Sequence, residues 1–192
     1  MASRSLSTCL IALGFAAAGW GLIAFPAFAV TVTVGGRAEQ CSLAAKAGKA
    51  TPEAFEACLD AIDTEPLNQH DFYGTLVNRG TLYLVRGDSR AALADFDKAK
   101  AGAPMLGEGF VNRGVALINL GRPAEAEPEI SKGIAMGTEE PEKAYYNRGL
   151  ARWWLDDVKG AYIDLLKAQE LKPGWALPGQ VLVNFKVAPA PR

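Results

Sequence analysis

The chain has 192 residues, of which 49% are hydrophobic and 21% are charged, as in an ordinary globular protein. Its 20 basic and 21 acidic residues leave a formal net charge of −1 at pH 7. Because nucleic-acid-binding proteins present a concentrated basic surface, this balance argues against a nucleic-acid partner.

The first 29 residues have the organisation of an export signal. Arg4 is their only charged residue, an apolar run covers residues 6–25, and Ala27-Phe28-Ala29 has the small-x-small pattern that signal peptidase reads. The pattern predicts cleavage after Ala29 and a periplasmic or secreted protein. The alternative is an uncleaved membrane anchor, because the apolar run approaches the roughly 20 residues needed to span a bilayer.

Two cysteines, Cys41 and Cys58, follow the predicted cleavage site, whereas Cys9 lies within the signal. An oxidising compartment allows such a pair to form a disulfide, and the even count favours it. The alternative is a pair of buried free thiols. Neither cysteine has a histidine or a third cysteine at metal-ligand spacing, so no zinc site is expected.

The tripeptide Asn-Arg-Gly recurs at residues 78–80, 112–114 and 147–149, at intervals of 34 and 35 residues (112 − 78 and 147 − 112). A period in this range is typical of stacked repeat proteins, in which each unit buries its apolar face against its neighbours. Each copy belongs to a predicted helix, followed by a turn and a second helix that ends near a proline.

Small and apolar residues follow each tripeptide at fixed offsets. In the first and third units they are Gly80, Ala92, Phe96, Ala99, Pro104 and Gly149, Ala161, Leu165, Ala168, Pro173. This pattern resembles the tetratricopeptide repeat. The second unit departs from it, with Gly133 in place of the last alanine and Pro128 inside the second helix. We therefore expect that unit to be the least stable helix pair.

The resemblance implies an all-α fold, a right-handed solenoid of antiparallel helix pairs with a C-terminal capping helix. The implied units are residues 73–105, 106–141 and 142–174. Before them lie the predicted signal, residues 1–29, and a degenerate helix pair, residues 30–72. Residues 175–192 form the capping helix and tail, with the helix expected from Trp175 to Lys186.

A repeated spacing of charge accompanies the repeats: each repeat arginine precedes an acidic residue by 16 positions. The pairs are Arg79 with Asp95, Arg113 with Glu129, and Arg148 with Asp164. In an antiparallel helix pair this offset predicts salt bridges within each repeat, and the alternative is a basic ligand site. Cys41 has the offset of the arginine and Cys58 lies one residue beyond that of the acid, which supports a disulfide in the degenerate pair.

In the tetratricopeptide family the first helices of the pairs line a concave groove that holds extended peptides or partner helices. The resemblance places Asn78, Asn112 and Asn147 at inward-facing offsets, and one Asn offers both a donor and an acceptor to a peptide backbone. The alternative is that each Asn bridges neighbouring helices. The expected flanking residues are Val77, Thr81, Val111, Val115, Tyr146 and Leu150, with Trp153 closing one end.

The predicted function is a non-enzymatic protein–protein interaction module or adaptor of the cell envelope. His70 is the only histidine, so no nucleophile–histidine pair with a spare base can be assembled, and no cofactor or metal motif is recognised. The predicted partner is another protein or a peptide, with the membrane involved only if the N-terminal segment is retained. Alternatives are a membrane-tethered envelope assembly factor and a noncatalytic subunit of an enzyme complex.

Overall fold

The computed structural model describes residues 26–32, 35–104 and 106–185. Within these ranges the regular structure consists of nine α-helices, which confirms the predicted all-α solenoid class. They are α1 (Arg37–Lys46), α2 (Pro52–Thr64), α3 (Gln69–Val85), α4 (Ser89–Gly102), α5 (Gly107–Asn119), α6 (Pro123–Met136), α7 (Pro141–Trp154), α8 (Val158–Leu171) and α9 (Ala176–Leu182). None of the helices in the described ranges is long and apolar enough to cross a membrane.

The helices pack as consecutive pairs, α1 with α2, α3 with α4, α5 with α6 and α7 with α8. The connection within each of the last three pairs is only three residues long, which makes the two helices antiparallel neighbours. The second helices α2, α4 and α6 each pack against the first helix of the next pair, and α8 packs against α9. The first helices α1, α3, α5 and α7 also contact one another in succession. These four first helices form one face of the solenoid, where the groove lies.

The repeat glycines face the large apolar residue of the second helix. A Cβ built on Gly80 would come within 2.5 Å of the Phe96 ring, and one on Gly149 would lie 3.1 Å from Leu165 Cγ. A Cβ on Gly114 would likewise collide with Ile130. The glycine is therefore required by close helix packing within the pair, as the repeat pattern predicts.

Gly133, the departure in the second repeat, has a packing reason. A Cβ at this position would lie 2.5 Å from Val111 Cγ2 and 2.8 Å from Gly107 O, because α5 and α6 approach closely there. Alanine at this offset would clash with the facing helix. Pro128 lies inside α6, as expected, and the lower stability of this pair stays a prediction.

The three repeat arginines form the predicted salt bridges. Arg79 makes a two-point contact with Asp95 at 2.8 and 2.7 Å, and this hydrogen bonding raises the pKa of Arg79 against the opposing effect of burial. Arg148 contacts Asp164 in the same way at 2.8 Å.

The second repeat differs in its ion pairing. Arg113 lies 3.5 Å from Glu129 but only 2.6 Å from Asp97, which belongs to the preceding helix pair. Lys100 Nζ lies 2.7 Å from the same oxygen of Glu129. Glu129 is therefore shared between two cations, and the shortest contact of Arg113 links two repeats rather than one.

The N-terminal helix pair is tied together covalently and by a cap. The structure joins Cys41 of α1 to Cys58 of α2 in a disulfide, with the Cα atoms 4.9 Å apart and both side chains fully buried. The Glu65 carboxylate accepts from the backbone N–H groups of Arg37 (2.6 Å) and Ala38 (3.1 Å) at the start of α1. A carboxylate there satisfies otherwise unpaired helix donors and complements the helix dipole.

The C-terminal end of the solenoid is covered by α9, which spans Ala176–Leu182 and is shorter than the predicted helix from Trp175 to Lys186. Lys186 itself lies outside the described residues. Trp175, Val181 and Phe185 belong to one apolar cluster with Tyr146 and Leu150 of α7. A terminal repeat has no following pair to cover its apolar face, so this short helix takes that role.

Candidate functional site

An extended stretch of the chain itself, residues 26–32, lies along the groove; we call it the groove segment. Phe28, Val30 and Val32 are 1%, 4% and 4% exposed, and they alternate with the half-buried Ala27, Ala29 and Thr31. A burial period of two residues is the mark of extended backbone. The groove thus holds a peptide in the conformation that the repeat resemblance implies for a ligand.

Two of the repeat asparagines hold the backbone of the groove segment with both atoms of their amides. Phe28 N–H donates to Asn112 Oδ1 (2.8 Å), and Asn112 Nδ2 donates to Phe28 O (2.7 Å). Val30 N–H donates to Asn78 Oδ1 (2.7 Å), and Asn78 Nδ2 donates to Val30 O (3.0 Å). The segment therefore advances two residues for each repeat. Both asparagines are fully buried, so these bonds are shielded from water.

The third asparagine makes only half of this contact. Asn147 Nδ2 donates to Pro26 O (2.9 Å), two residues before Phe28 in the same register. Its Oδ1 is buried and has no hydrogen-bond partner among the described residues. The reason is chemical: the donor expected at this point is the N–H of residue 26, and proline has none.

Hydroxyl groups complete the contacts to two carbonyls of the segment. Thr81 Oγ1 lies 2.6 Å from Phe28 O and accepts from Asn112 Nδ2 at 3.1 Å. Ser42 Oγ of α1 donates to Val30 O at 2.7 Å. Each of these carbonyls is thus approached by two donors. Since every one of these groups is neutral, recognition of the backbone here depends on hydrogen bonding and not on charge.

The side chains of the segment that point into the groove enter apolar surroundings. Phe28 belongs to a buried cluster that includes Val111 and Ala144, and Lys143 Nζ lies 5.7 Å from the centre of its ring. Val30 packs beside Gly74 of α3, where a Cβ would lie 3.0 Å from Val30 Cγ1. The groove therefore accepts an aromatic side chain at one position and a β-branched one two residues later.

The predicted flanking residues divide into two groups. Val77, Val111 and Val115 are fully buried on α3 and α5, with Val77 in the cluster of Val30 and Val111 in the cluster of Phe28. Thr81 contacts the groove segment directly, as described above.

Tyr146, Leu150 and Trp153, which the sequence predicted to line the groove, pack in one apolar cluster with residues of the C-terminal segment 175–185. The Tyr146 ring is tilted against the Trp175 ring with the ring centres 5.1 Å apart, and the Trp153 ring is tilted against Phe185 at 5.0 Å. Burial in this cluster raises the pKa of Tyr146. These three side chains therefore contact the C-terminal segment of the chain.

Sequence reasoning overlooked the groove segment as an occupant, as well as Gly74 and Ser42. The sequence signal was present: Phe28, Val30 and Val32 alternate with small or polar residues, a pattern typical of extended chain. The predicted cleavage site lies in this same segment, and the remainder of the predicted signal, residues 1–25, lies outside the described residues.

Within the described ranges, no group of three or more His, Cys, Asp or Glu side chains is arranged to hold a metal ion. What the groove offers is a row of neutral amides and hydroxyls beside apolar pockets. In this structure the arrangement holds residues 26–30 of the chain itself.

No family model matches the chain, and no curated protein matches it by sequence. Solved structures do match. The first TPR domain of Spaghetti (RPAP3) bound to an HSP90 peptide is 26% identical, with a TM-score of 0.55, over 58% of this chain and 88% of that one. The second TPR domain of human RPAP3, in complex with an HSP70 peptide, is 22% identical with a TM-score of 0.57, over 63% and 100%.

A bacterial structure is similar over more of the chain. A MamA fragment from Desulfovibrio magneticus RS-1 is 21% identical, with a TM-score of 0.60, and the match covers 78% of this chain and 84% of that one. The internal repeats, the helix pairs and the likeness to these structures together identify the chain as a protein of the tetratricopeptide repeat fold.

Proposed function

We propose that this protein is a non-enzymatic interaction module that binds an extended segment of a partner protein along its groove. The observation that carries the proposal is the two-point contact of Asn112 and Asn78 with the backbone of every second residue of the groove segment. On the side of the bound segment these contacts use only main-chain atoms. They therefore suit any extended peptide whose side chains fit the pockets. The RPAP3 domains that were solved with HSP90 and HSP70 peptides support a peptide ligand for this fold.

We also propose that the module works as an adaptor in the cell envelope, in the periplasm or as a secreted protein. The support is the export pattern ending at Ala29 and the Cys41–Cys58 disulfide, which an oxidising compartment favours. The alternative is a tethered assembly factor, in which residues 6–25 are not removed and anchor the protein in the membrane. Mass spectrometry of the protein from its native envelope distinguishes the two: a chain starting at Val30 supports export with cleavage, and one starting at Met1 or Ala2 supports the anchor.

The direct test of the groove is binding of a labelled peptide with the sequence of residues 26–32. The receptor is the full-length chain carrying Phe28→Ala, in which the internal segment competes less well. Replacing any one of Asn78, Asn112 and Asn147 by alanine should weaken binding by about 0.5–1.5 kcal/mol, or roughly 2–12-fold. Asn119→Ala, an exposed asparagine at the end of α5, is the matched control and should leave affinity unchanged.

Two further readouts separate the proposal from its alternatives. Because the groove contacts are neutral, peptide affinity should change little between low and high ionic strength, whereas a basic ligand site would lose affinity with salt. If the asparagines only support the fold, the alanine variants lower the melting temperature while affinity per folded molecule stays constant. That result would rule out peptide recognition by the asparagines.

A further inference from the structure

We infer that the groove segment is an internal occupant that fits the groove incompletely, and that the partner segment replacing it has an aromatic residue at the position of Phe28 and a residue other than proline at the position of Pro26. This inference rests on the proposed function, because it specifies which peptides the same groove prefers.

The unsatisfied oxygen of Asn147 marks the position where the internal segment fits least well. The side chain is fully buried, and a buried amide oxygen without a donor loses the hydrogen bond that water would have provided. Asn112 and Asn78 show what the missing contact would be, since each receives a backbone N–H from the segment residue that it holds. Any residue except proline would supply that N–H to Asn147.

The aromatic preference follows from the surroundings of Phe28. This ring is 1% exposed and lies among the buried apolar residues of α5 and α7, with a lysine ammonium 5.7 Å from its centre. A smaller side chain would leave an unfilled space among Val111 and Ala144, and a charged one would be buried without a partner. The partner residue at this position is therefore aromatic.

Cleavage at the proposed site would release part of this internal occupant from the groove. The bond between Ala29 and Val30 lies between the segment residues held by Asn112 and Asn78. Cleavage there would free Pro26 and Phe28 from the groove while Val30 stays on the same chain as Asn78. The amides of Asn147 and Asn112 and the pocket of the Phe28 ring would then be open. A partner segment of about four extended residues, or about 13 Å, would fill them.

The partner motif that this geometry specifies is a non-proline residue, any residue, and then an aromatic residue. Its chain direction is that of the groove segment, from α7 towards α3, because a reversed peptide would exchange the positions of its N–H and C=O groups. The motif is a property of the α5–α7 end of the groove, independent of what Asn78 holds.

The test compares two acetylated and amidated heptapeptides on the full-length chain carrying Phe28→Ala. One has the sequence of residues 26–32, and the other has alanine in place of its N-terminal proline. The alanine peptide should bind about 2–12-fold more tightly, the factor that one hydrogen bond supplies. In the same chain with Asn147→Ala this preference should disappear, which separates the hydrogen bond from any effect of proline on the free peptide. A third peptide, with alanine at the aromatic position, should bind at least tenfold more weakly.

The outcomes are distinct. Equal affinity of the proline and alanine peptides, or a preference that persists without the Asn147 amide, overturns the inference and leaves the proposed function in place. Failure of all three peptides to bind overturns the proposed function itself. If circular dichroism shows that the Phe28→Ala chain has lost its helices, the unaltered full-length chain serves instead. Amide exchange at Phe28 should then accelerate more with the alanine peptide than with the proline peptide, and equal acceleration counts against the inference.

Discussion

At the α3 end of the groove, Val30 receives hydrogen bonds from Asn78 and Ser42 and donates its own N–H to Asn78. At the α7 end, the described residues show one hydrogen bond to Pro26, and Asn147 Oδ1 has no partner among them. The two asparagines have the same repeat offset and the same complete burial. The difference therefore comes from the segment and not from the groove.

This contrast predicts where displacement of the groove segment begins. The α3 end is backed by the helix pair that the disulfide joins, and its segment residues Val30 and Val32 are buried. The α7 end holds Pro26, which is only half-buried. A competing peptide should therefore gain access at the α7 end first, because fewer contacts need to be broken there.

The largest expected effect comes from removing the disulfide that supports the α3 end. The double variant Cys41→Ser, Cys58→Ser should lose about 3 kcal/mol of unfolding free energy, since the bridge closes a loop of 17 residues. Urea unfolding of the oxidised parent and the variant measures the loss. Thiol titration of the unfolded, non-reduced chain provides the check: reactive Cys41 and Cys58 would mean that the bridge does not form in the protein.

A direct comparison of the two ends uses Asn78→Ala and Asn147→Ala. The first removes two hydrogen bonds and leaves Val30 N–H unpaired, so it should cost about 1–3 kcal/mol of unfolding free energy. The second removes one bond and also an unsatisfied oxygen, so it should cost less than about 1 kcal/mol. Denaturant unfolding measures both losses of unfolding free energy, with Asn119→Ala as the exposed control. Equal losses would show that the two ends are held alike.

The contrast can be reversed by giving the α7 end its missing donor. Pro26→Ala supplies an N–H for Asn147 Oδ1 and should strengthen docking by about 0.5–1.5 kcal/mol, opposed by about 0.4–1 kcal/mol from the freer unfolded chain. A double-mutant cycle with Asn147→Ala cancels the second contribution. A coupling free energy near zero in this cycle would mean that the new N–H does not reach the oxygen.

The smallest expected effect compares two glycines of the first helices, of which only Gly74 is shown in contact with the groove segment. A Cβ at Gly74 would lie 3.0 Å from Val30 Cγ1, whereas one at Gly109 would meet only Val77 at an ordinary 3.6 Å. Gly109→Ala should stabilise the chain by about 0.5–1 kcal/mol through helix propensity. The stabilisation from Gly74→Ala should be about 1 kcal/mol smaller, because the new methyl group forces Val30 to shift. Faster amide exchange at Val30 in the Gly74 variant alone would locate the effect in the segment.

Much of the fold could be predicted because it depends on local, repeated spacing. The Asn-Arg-Gly tripeptides, the small residues at helix contacts and the 16-residue offset of Arg79 from Asp95 are all short-range patterns within one repeat. Arg113 shows the limit of this reasoning, because Asp97 and Glu129 both lie 16 residues from it, on opposite sides along the chain. Only the packing of neighbouring pairs places Asp97 closer.

The sequence by itself determined that asparagines at a fixed repeat offset would share one face of the solenoid, since helical period and repeat length decide which side chains lie together. That this face is a peptide groove was implied by the tetratricopeptide resemblance, with bridging between neighbouring helices as the alternative. Which peptide occupies that groove was decided by the tertiary structure. The contacts of Phe28 with Asn112 and of Pro26 with Asn147 join residues 84 and 121 positions apart, and no local pattern encodes such a pairing. The same holds for Tyr146 and Trp153, which pack against the C-terminal segment because the last repeat has no following pair to bury its apolar face.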